Sequence, residues 1–202
     1  MDLLYATTNQ SKISFMRNCL KQLDITISSL ADISLDLAEM PKIVENGNSP
    51  LDNAKIKALA YYKALRVPLF SCDSGLYIDG LSEERQPGIN VRGTNDHMND
   101  AEAIAYYSAL AAEMGGKMTA RYKNAICLIL ENGQIHEHMA DDIASPPFHI
   151  VDKPHNKRKI GFPLDSLSVN IESGQYYFDE EVSDKYENHD GFAKFFRRVL
   201  GI

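Results

Sequence analysis

The stretch PLDNAKIKALAYYKALRVPLFSCDSGLYIDG, residues 50 to 80, constrains the fold more than any other part of the chain. Its first half is alanine-rich, with apolar positions recurring every three or four residues, the pattern of an amphipathic helix. An apolar run, VPLF, follows without a linker, and SCDSGLYIDG then reads as a tight turn leading into a second strand. A helix feeding directly into a strand is the building unit of an α/β protein. Other segments agree. DLLYAT is a short strand that stops at polar TTNQSK, after which Ile13, Phe15, Met16, Cys19, Leu20 and Leu23 fall at helical spacing. ITISSL reads as a strand, DAEAIAYYSALAAEM as a helix capped by Asn99 or Asp100, and GFAKFFRRVLGI as an amphipathic terminal helix. ARYKNAICLIL and QIHEHMA form a hairpin about Asn132-Gly133. The expectation is one α/β domain over residues 1–202 with a mixed sheet.

Composition narrows the partners. With 44% hydrophobic and 24% charged residues, the chain has the balance of an ordinary globular protein. A formal net charge of −7 argues against a surface for polymeric DNA or RNA, whose affinity comes mainly from phosphate neutralisation. It leaves room for a small phosphorylated ligand held by a few focused lysines. No apolar run approaches the roughly 20 residues of a membrane helix. MDLLYATTNQ lacks the features of a secretory signal, and Cys19, Cys72 and Cys127 are odd in number and widely spaced. The expectation is a cytosolic protein with reduced thiols and no membrane partner.

Three segments carry chemistry. In ATTNQSK a strand ends in hydroxyls and an amide before a helix, which offers backbone N–H groups and Lys12 to an anion. In VENGNSPLDNAKIKA, Glu45 stands in a Gly/Asn-rich loop, while Asn53 and Lys57, four apart, share a helix face and could straddle a metal-bound phosphate. In the third, Asp73 at a strand end can bind Mg²⁺ or accept a proton from an attacking water, and Ser74-Gly75 lets backbone approach a ligand. Taken alone, each also reads as scaffold: an N-cap by Thr8 or Asn9, a loop glutamate with a solvated lysine, a common turn.

In this order and spacing the segments resemble the inosine triphosphate pyrophosphatase family. The T-x-N-x-x-K loop is matched by Thr7, Thr8, Asn9 and Lys12. An acidic E-x-G loop and N-A-x-x-K-A helix are matched by Glu45, Gly47, Asn53, Ala54, Lys57 and Ala58. The D-D-S-G-L-x-[IV]-D segment is matched by Asp73, Ser74, Gly75, Leu76, Ile78 and Asp79, followed by Pro87-Gly88 and Ala120-Arg121-Tyr122. The resemblance implies a long mixed central β-sheet flanked by helices, forming two lobes with a cleft between them. It implies a Mg²⁺-dependent, homodimeric enzyme that cleaves a nonstandard nucleoside triphosphate to the monophosphate and pyrophosphate. Thr7, Thr8, Asn9 and Lys12 would cradle the triphosphate, and Asn53 and Ser74 would contact substrate. Glu45 and Asp73 would hold Mg²⁺, Asp73 would act as general base, and Lys57 would neutralise developing charge.

The match departs at four places. The family's first aspartate of D-D-S-G is Cys72. Its G-[FW]-G-Y-D-P-x-F loop reads GFPLDSLS here, which keeps Phe162 and Asp165 for the base but substitutes Pro163 and Leu164. Its S-H-R signature aligns with NHDG, retaining His189 but placing Asp190 where a donor is expected, and the preceding lysine shifts to Lys185. A carboxylate at position 190 suits an amino group better than a keto oxygen. The alternative implied by these changes is a nucleotide-binding protein with little or no catalysis.

Overall fold

The computed structural model describes residues 1–33, 40–93, 97–180 and 190–202. It contains four α-helices and a seven-stranded mixed sheet among the described residues. The strands are β1 (Asp2–Tyr5), β2 (Thr26–Ser29), β3 (Leu69–Ile78), β4 (Lys117–Ile129), β5 (Ile135–His138), β6 (Phe148–Val151) and β7 (Ser168–Asn170). The helices are α1 (Gln10–Cys19), α2 (Pro50–Leu65), α3 (Asp100–Glu113) and α4 (Asp190–Leu200). Strand order is β2-β1-β3-β4-β6-β7, with β5 pairing on β4. No described helix is long and apolar enough to cross a membrane.

The chain divides into two compact units, Met1–Ser74 with Lys123–Ala144 and Asn188–Ile202, and Gly75–Tyr122 with Ser145–Glu187. In the first unit β1 runs parallel to β2 and β3, and the end of β4 pairs antiparallel with β5. Alternation along β3 gives each face its own helices. Leu69 packs with Ala54 and Ala58 of α2, whereas Phe70 packs with Ile13 and Met16 of α1 and Phe192, Phe195 and Phe196 of α4. Each of those phenylalanines is at most 2% exposed, and burial of this extent contributes roughly 1.5–3 kcal/mol per side chain. The spacing 192, 195, 196 is what a 3.6-residue period needs to set three rings on one face.

In the second unit the start of β4 pairs antiparallel with β6, and β6 with β7. Leu76 and Ile78 join Ile104, Tyr107, Leu110 and Ala111 of α3 and Leu164 and Leu167 in its core. Asn99 caps α3 in a reciprocal box with Glu102: its side chain accepts from the Glu102 N–H, and Glu102 accepts from the Asn99 N–H.

One sequence expectation is overturned here. The DSG of SCDSGLYIDG is not a turn: β3 is a single ten-residue strand from Leu69 to Ile78. Buried residues on both sides, Leu69 to Ser71 and Leu76, hold the backbone extended through it, and tertiary context overrides the local turn preference. Asp73 therefore lies mid-strand and not at a strand end.

Candidate active site

Helix α1 begins where β1 stops, and its cap is built from the expected residues. The Asn9 Oδ1 accepts from the N–H groups of Ser11 (3.0 Å) and Lys12 (3.1 Å), and the Thr7 Oγ1 accepts from the Asn9 N–H (3.2 Å). Three donors that the sequence seemed to offer an anion are thus already satisfied. What this turn offers a phosphate includes the Thr8 hydroxyl and Asn9 amide, both exposed, and the Lys12 ammonium.

The acidic loop is held by the helix that follows it. Ser49 caps α2, accepting from the Asp52 N–H (3.2 Å), while the Asp52 carboxylate accepts from the Asn48 N–H (3.1 Å) and the Ser49 hydroxyl (2.8 Å). The Asn53 Oδ1 accepts from the Gly47 N–H at 2.9 Å. Asn53 is 4% exposed and supports the loop from beneath. Gly47 is required by close approach, since a Cβ there would fall 2.4 Å from the Asp52 Cβ and 2.7 Å from the Asn53 Oδ1. Gly47→Ala is expected to displace Glu45 and weaken divalent-metal affinity by about 10- to 100-fold. Metal titration with the variant checks this, with circular dichroism showing α2 intact.

Lys57 joins the loop to β3. Its ammonium donates to Glu45 Oε2 at 2.9 Å and to Asp73 Oδ1 at 3.2 Å. Lys57 and Asp73 are 13% and 15% exposed and Glu45 43%, so the pair is shielded while one carboxylate opens to solvent. Burial acts to lower the Lys57 pKa, but Asp73 and Glu45 outweigh it and the net shift is upward. The cation's stabilising contribution is therefore complete below its unfolded pKa of about 10.4 and lost only as pH rises through the higher folded value. A lysine so placed is a permanent charge at neutral pH and not a base. Tyr61, one turn further along α2, feels both Lys57 and Glu45.

Cys72 points to the other face of β3, against the Tyr5 hydroxyl. Burial pushes its thiol up to about 12, against the hydrogen bond with Tyr5 and the positive charges of Lys12 and Lys57. Glu45, Lys57 and Asp73 thus meet at the middle of β3. Ser74, next in the strand, donates to the Asn124 Oδ1 at 2.7 Å, and the Asn124 amide donates to the Ile143 carbonyl at 2.8 Å. Asn124 is a supporting residue that the sequence reading missed.

No group of three or more His, Cys, Asp or Glu side chains forms a metal cage among the described residues. Glu45 and Asp73 nevertheless fit Mg²⁺, which takes one or two carboxylates and completes its shell with waters and substrate phosphates. Both offer oxygen and meet at one ammonium. Cys72, a neutral thiol, adds no ligand.

In the second unit, Phe162 is 37% exposed, with the Lys159 ammonium 4.1 Å from its ring centroid. Lys159 also pairs with Asp165 at 3.1 Å. Pro163 and Leu164 are buried in a short 3₁₀ helix, where proline at the first position loses no needed hydrogen bond. Asp190 opens α4, exposed at the end where a carboxylate complements the helix dipole. Lys185 and His189 lie outside the described residues.

Residues 3–170 match the model of the Ham1 family. A dITP/XTP pyrophosphatase of Rhodopseudomonas palustris is 36% identical over 140 residues, 67% of this chain and 63% of that protein. A dITP/XTP pyrophosphatase of Brucella melitensis biotype 1 is 33% identical over 140 residues, 65% of this chain and 60% of that protein. The chain thus spans about three fifths of the length of these relatives. Among solved structures, a HAM1 protein from Coxiella burnetii superimposes with a TM-score of 0.71 at 24% identity, covering 100% of this chain and 98% of that one. The Staphylococcus aureus Ham1 protein gives 0.70 at 19% identity over the same shares.

Proposed function

This chain belongs to the Ham1 family, and on that premise we propose that it hydrolyses a nonstandard or modified nucleoside triphosphate to the monophosphate and pyrophosphate with Mg²⁺. The observation that carries the reading is the Lys57 ammonium shared between Glu45 and Asp73. Glu45 and Asp73 would hold the ion, which when bound polarises phosphoryl oxygens and makes water more acidic. Lys12, Thr8 and the Asn9 amide bind the polyphosphate. Asp73 takes the proton of the attacking water as its oxygen bonds to the α-phosphorus, the bond to the β-phosphate oxygen breaks, and pyrophosphate leaves. Lys57 stays charged throughout and offsets the negative charge spreading over the equatorial oxygens. Asn53 and Gly47 position the loop that carries Glu45; Asn124 orients Ser74.

Phe162 and Asp165, by the sequence resemblance, contact the base. Asp190 accepts hydrogen bonds where the family donates them, which favours a base edge bearing an amino group. A cytosolic homodimer belongs to the same proposal. A panel of nucleoside triphosphates, keto and amino bases alike, incubated with Mg²⁺ and followed by ³¹P NMR tests it. Monophosphate and pyrophosphate in equal amounts from at least one member is the expected result, and no cleavage of any member contradicts it.

The neutral Cys72 thiol favours a second reading, binding without turnover, because the acidic cluster has one charge fewer than the family pattern. That reading expects a triphosphate to raise Tm by mass action while remaining uncleaved.

A further inference from the structure

The segment that carries Phe162 is fixed to the start of α3 by a carboxylate that neither the proposed catalysis nor the family motifs use. The Asp100 Oδ2 accepts from the Gly161 N–H at 2.9 Å, and its Oδ1 accepts from the Arg92 guanidinium at 2.5 Å. Arg92 also donates to the Met98 carbonyl at 3.2 Å, and the Tyr107 hydroxyl donates to the Val91 carbonyl at 2.9 Å. Arg92 is 24% and Asp100 35% exposed, so the pair is partly shielded from water. Gly161 has φ +83°, a left-handed conformation, and its N–H donates to the Asp100 carboxylate. Among the described residues, none beyond Gly161 and its two chain neighbours lies within 4 Å of the place a Cβ would take at Gly161. The next residue is Phe162, whose ring sits under the Lys159 ammonium that Asp165 anchors. The orientation of the ring therefore depends on a backbone turn held by the Asp100 carboxylate at Gly161 and by the Phe162 N–H, which donates to the Lys159 carbonyl at 2.9 Å.

We propose that Asp100, clamped by Arg92, is a positioning residue for nucleotide recognition: it sets the backbone at Gly161 and so the plane of the Phe162 ring on which a base stacks. This rests on the reading of Phe162 as a base contact. A positioning role predicts a penalty confined to ligands that possess a base. Ligand affinity measured by calorimetry, independent of turnover, separates the possibilities. The probes are inorganic tripolyphosphate and the α,β-imido analogues of inosine and adenosine triphosphate, each with Mg²⁺.

Asp100→Ala is expected to weaken the better-bound nucleotide analogue by at least about tenfold, since ångström-scale misplacement of a recognition group has effects of this size and larger. Tripolyphosphate affinity should not move. Asp100→Asn keeps an acceptor for the Gly161 N–H and should recover part of the loss, whereas Arg92→Met should show a smaller loss of the same selective kind. Equal weakening of analogue and tripolyphosphate would mean a general structural role and overturn the inference. So would unchanged analogue affinity in Asp100→Ala. Wild-type protein that binds neither analogue more tightly than tripolyphosphate would remove the base contact itself, and the inference with it.

Discussion

Asp73→Asn is expected to lower kcat by about a thousandfold or more, within the 10²–10⁴ range of a lost general base together with a weakened metal site. The substitution keeps the shape of the side chain and its place in the middle of β3 but removes the charge. Lys57 retains Glu45 at 2.9 Å, so the ammonium is not left unpaired, and the loss of one charge-assisted bond should cost about 1–3 kcal/mol. Far-ultraviolet circular dichroism should be unchanged, with Tm lower by roughly 2–12 °C. A variant with wild-type kcat would assign the proton transfer elsewhere.

The largest effect on stability is expected at Gly191. A Cβ there would lie 1.9 Å from the Asp142 carbonyl oxygen, 2.5 Å from its carbon and 2.9 Å from the Ile143 Cγ2. The obstruction is backbone and cannot rotate away, so Gly191→Ala must lift the start of α4 from the Asp141–Ile143 turn. The same helix buries Phe192, Phe195 and Phe196. Overpacking typically costs about 1–3 kcal/mol, and a backbone clash at a helix that carries three core rings belongs at the upper end. For a chain of this size that corresponds to a fall in Tm of roughly 6–12 °C. Thermal unfolding followed at 222 nm checks it. An unchanged Tm would contradict the docking of α4 on this turn.

Periodic features were legible in the sequence because they depend on neighbours along the chain. The capped α2, the terminal α4 with its phenylalanine stripe and the β4–β5 hairpin with Gly133 at φ +82° all follow from local pattern. The continuity of β3 was not legible, because DSG carries a turn signal that only burial on either side suppresses. The α1 cap shows a subtler limit. Residue types suited to an anion and an N-cap by Thr8 or Asn9 were both visible, but not which of the two uses these donors serve; Asn9 takes those of Ser11 and Lys12.

At the candidate site, the grouping of Glu45, Lys57 and Asp73 was legible through the order and spacing of family motifs. Their supports were not. Ser74 meets Asn124 across 50 positions, and Gly161 meets Asp100 across 61, with no residue near either pair signalling the partner. Lys159 escaped notice for a different reason. In a run such as NKRKIGF its charge reads as solvated surface, and only the fold places it over Phe162.

The central claim is that Glu45 and Asp73, joined through Lys57, complete a divalent-metal site together with the phosphates of a bound nucleotide. Mn²⁺ replaces Mg²⁺ as a paramagnetic reporter, and its binding can be followed by electron paramagnetic resonance with the α,β-imido analogues of inosine and adenosine triphosphate. The account predicts one site per chain that is tight only when an analogue is present and is lost in both Glu45→Gln and Asp73→Asn. Undiminished Mn²⁺ binding in either variant would contradict it.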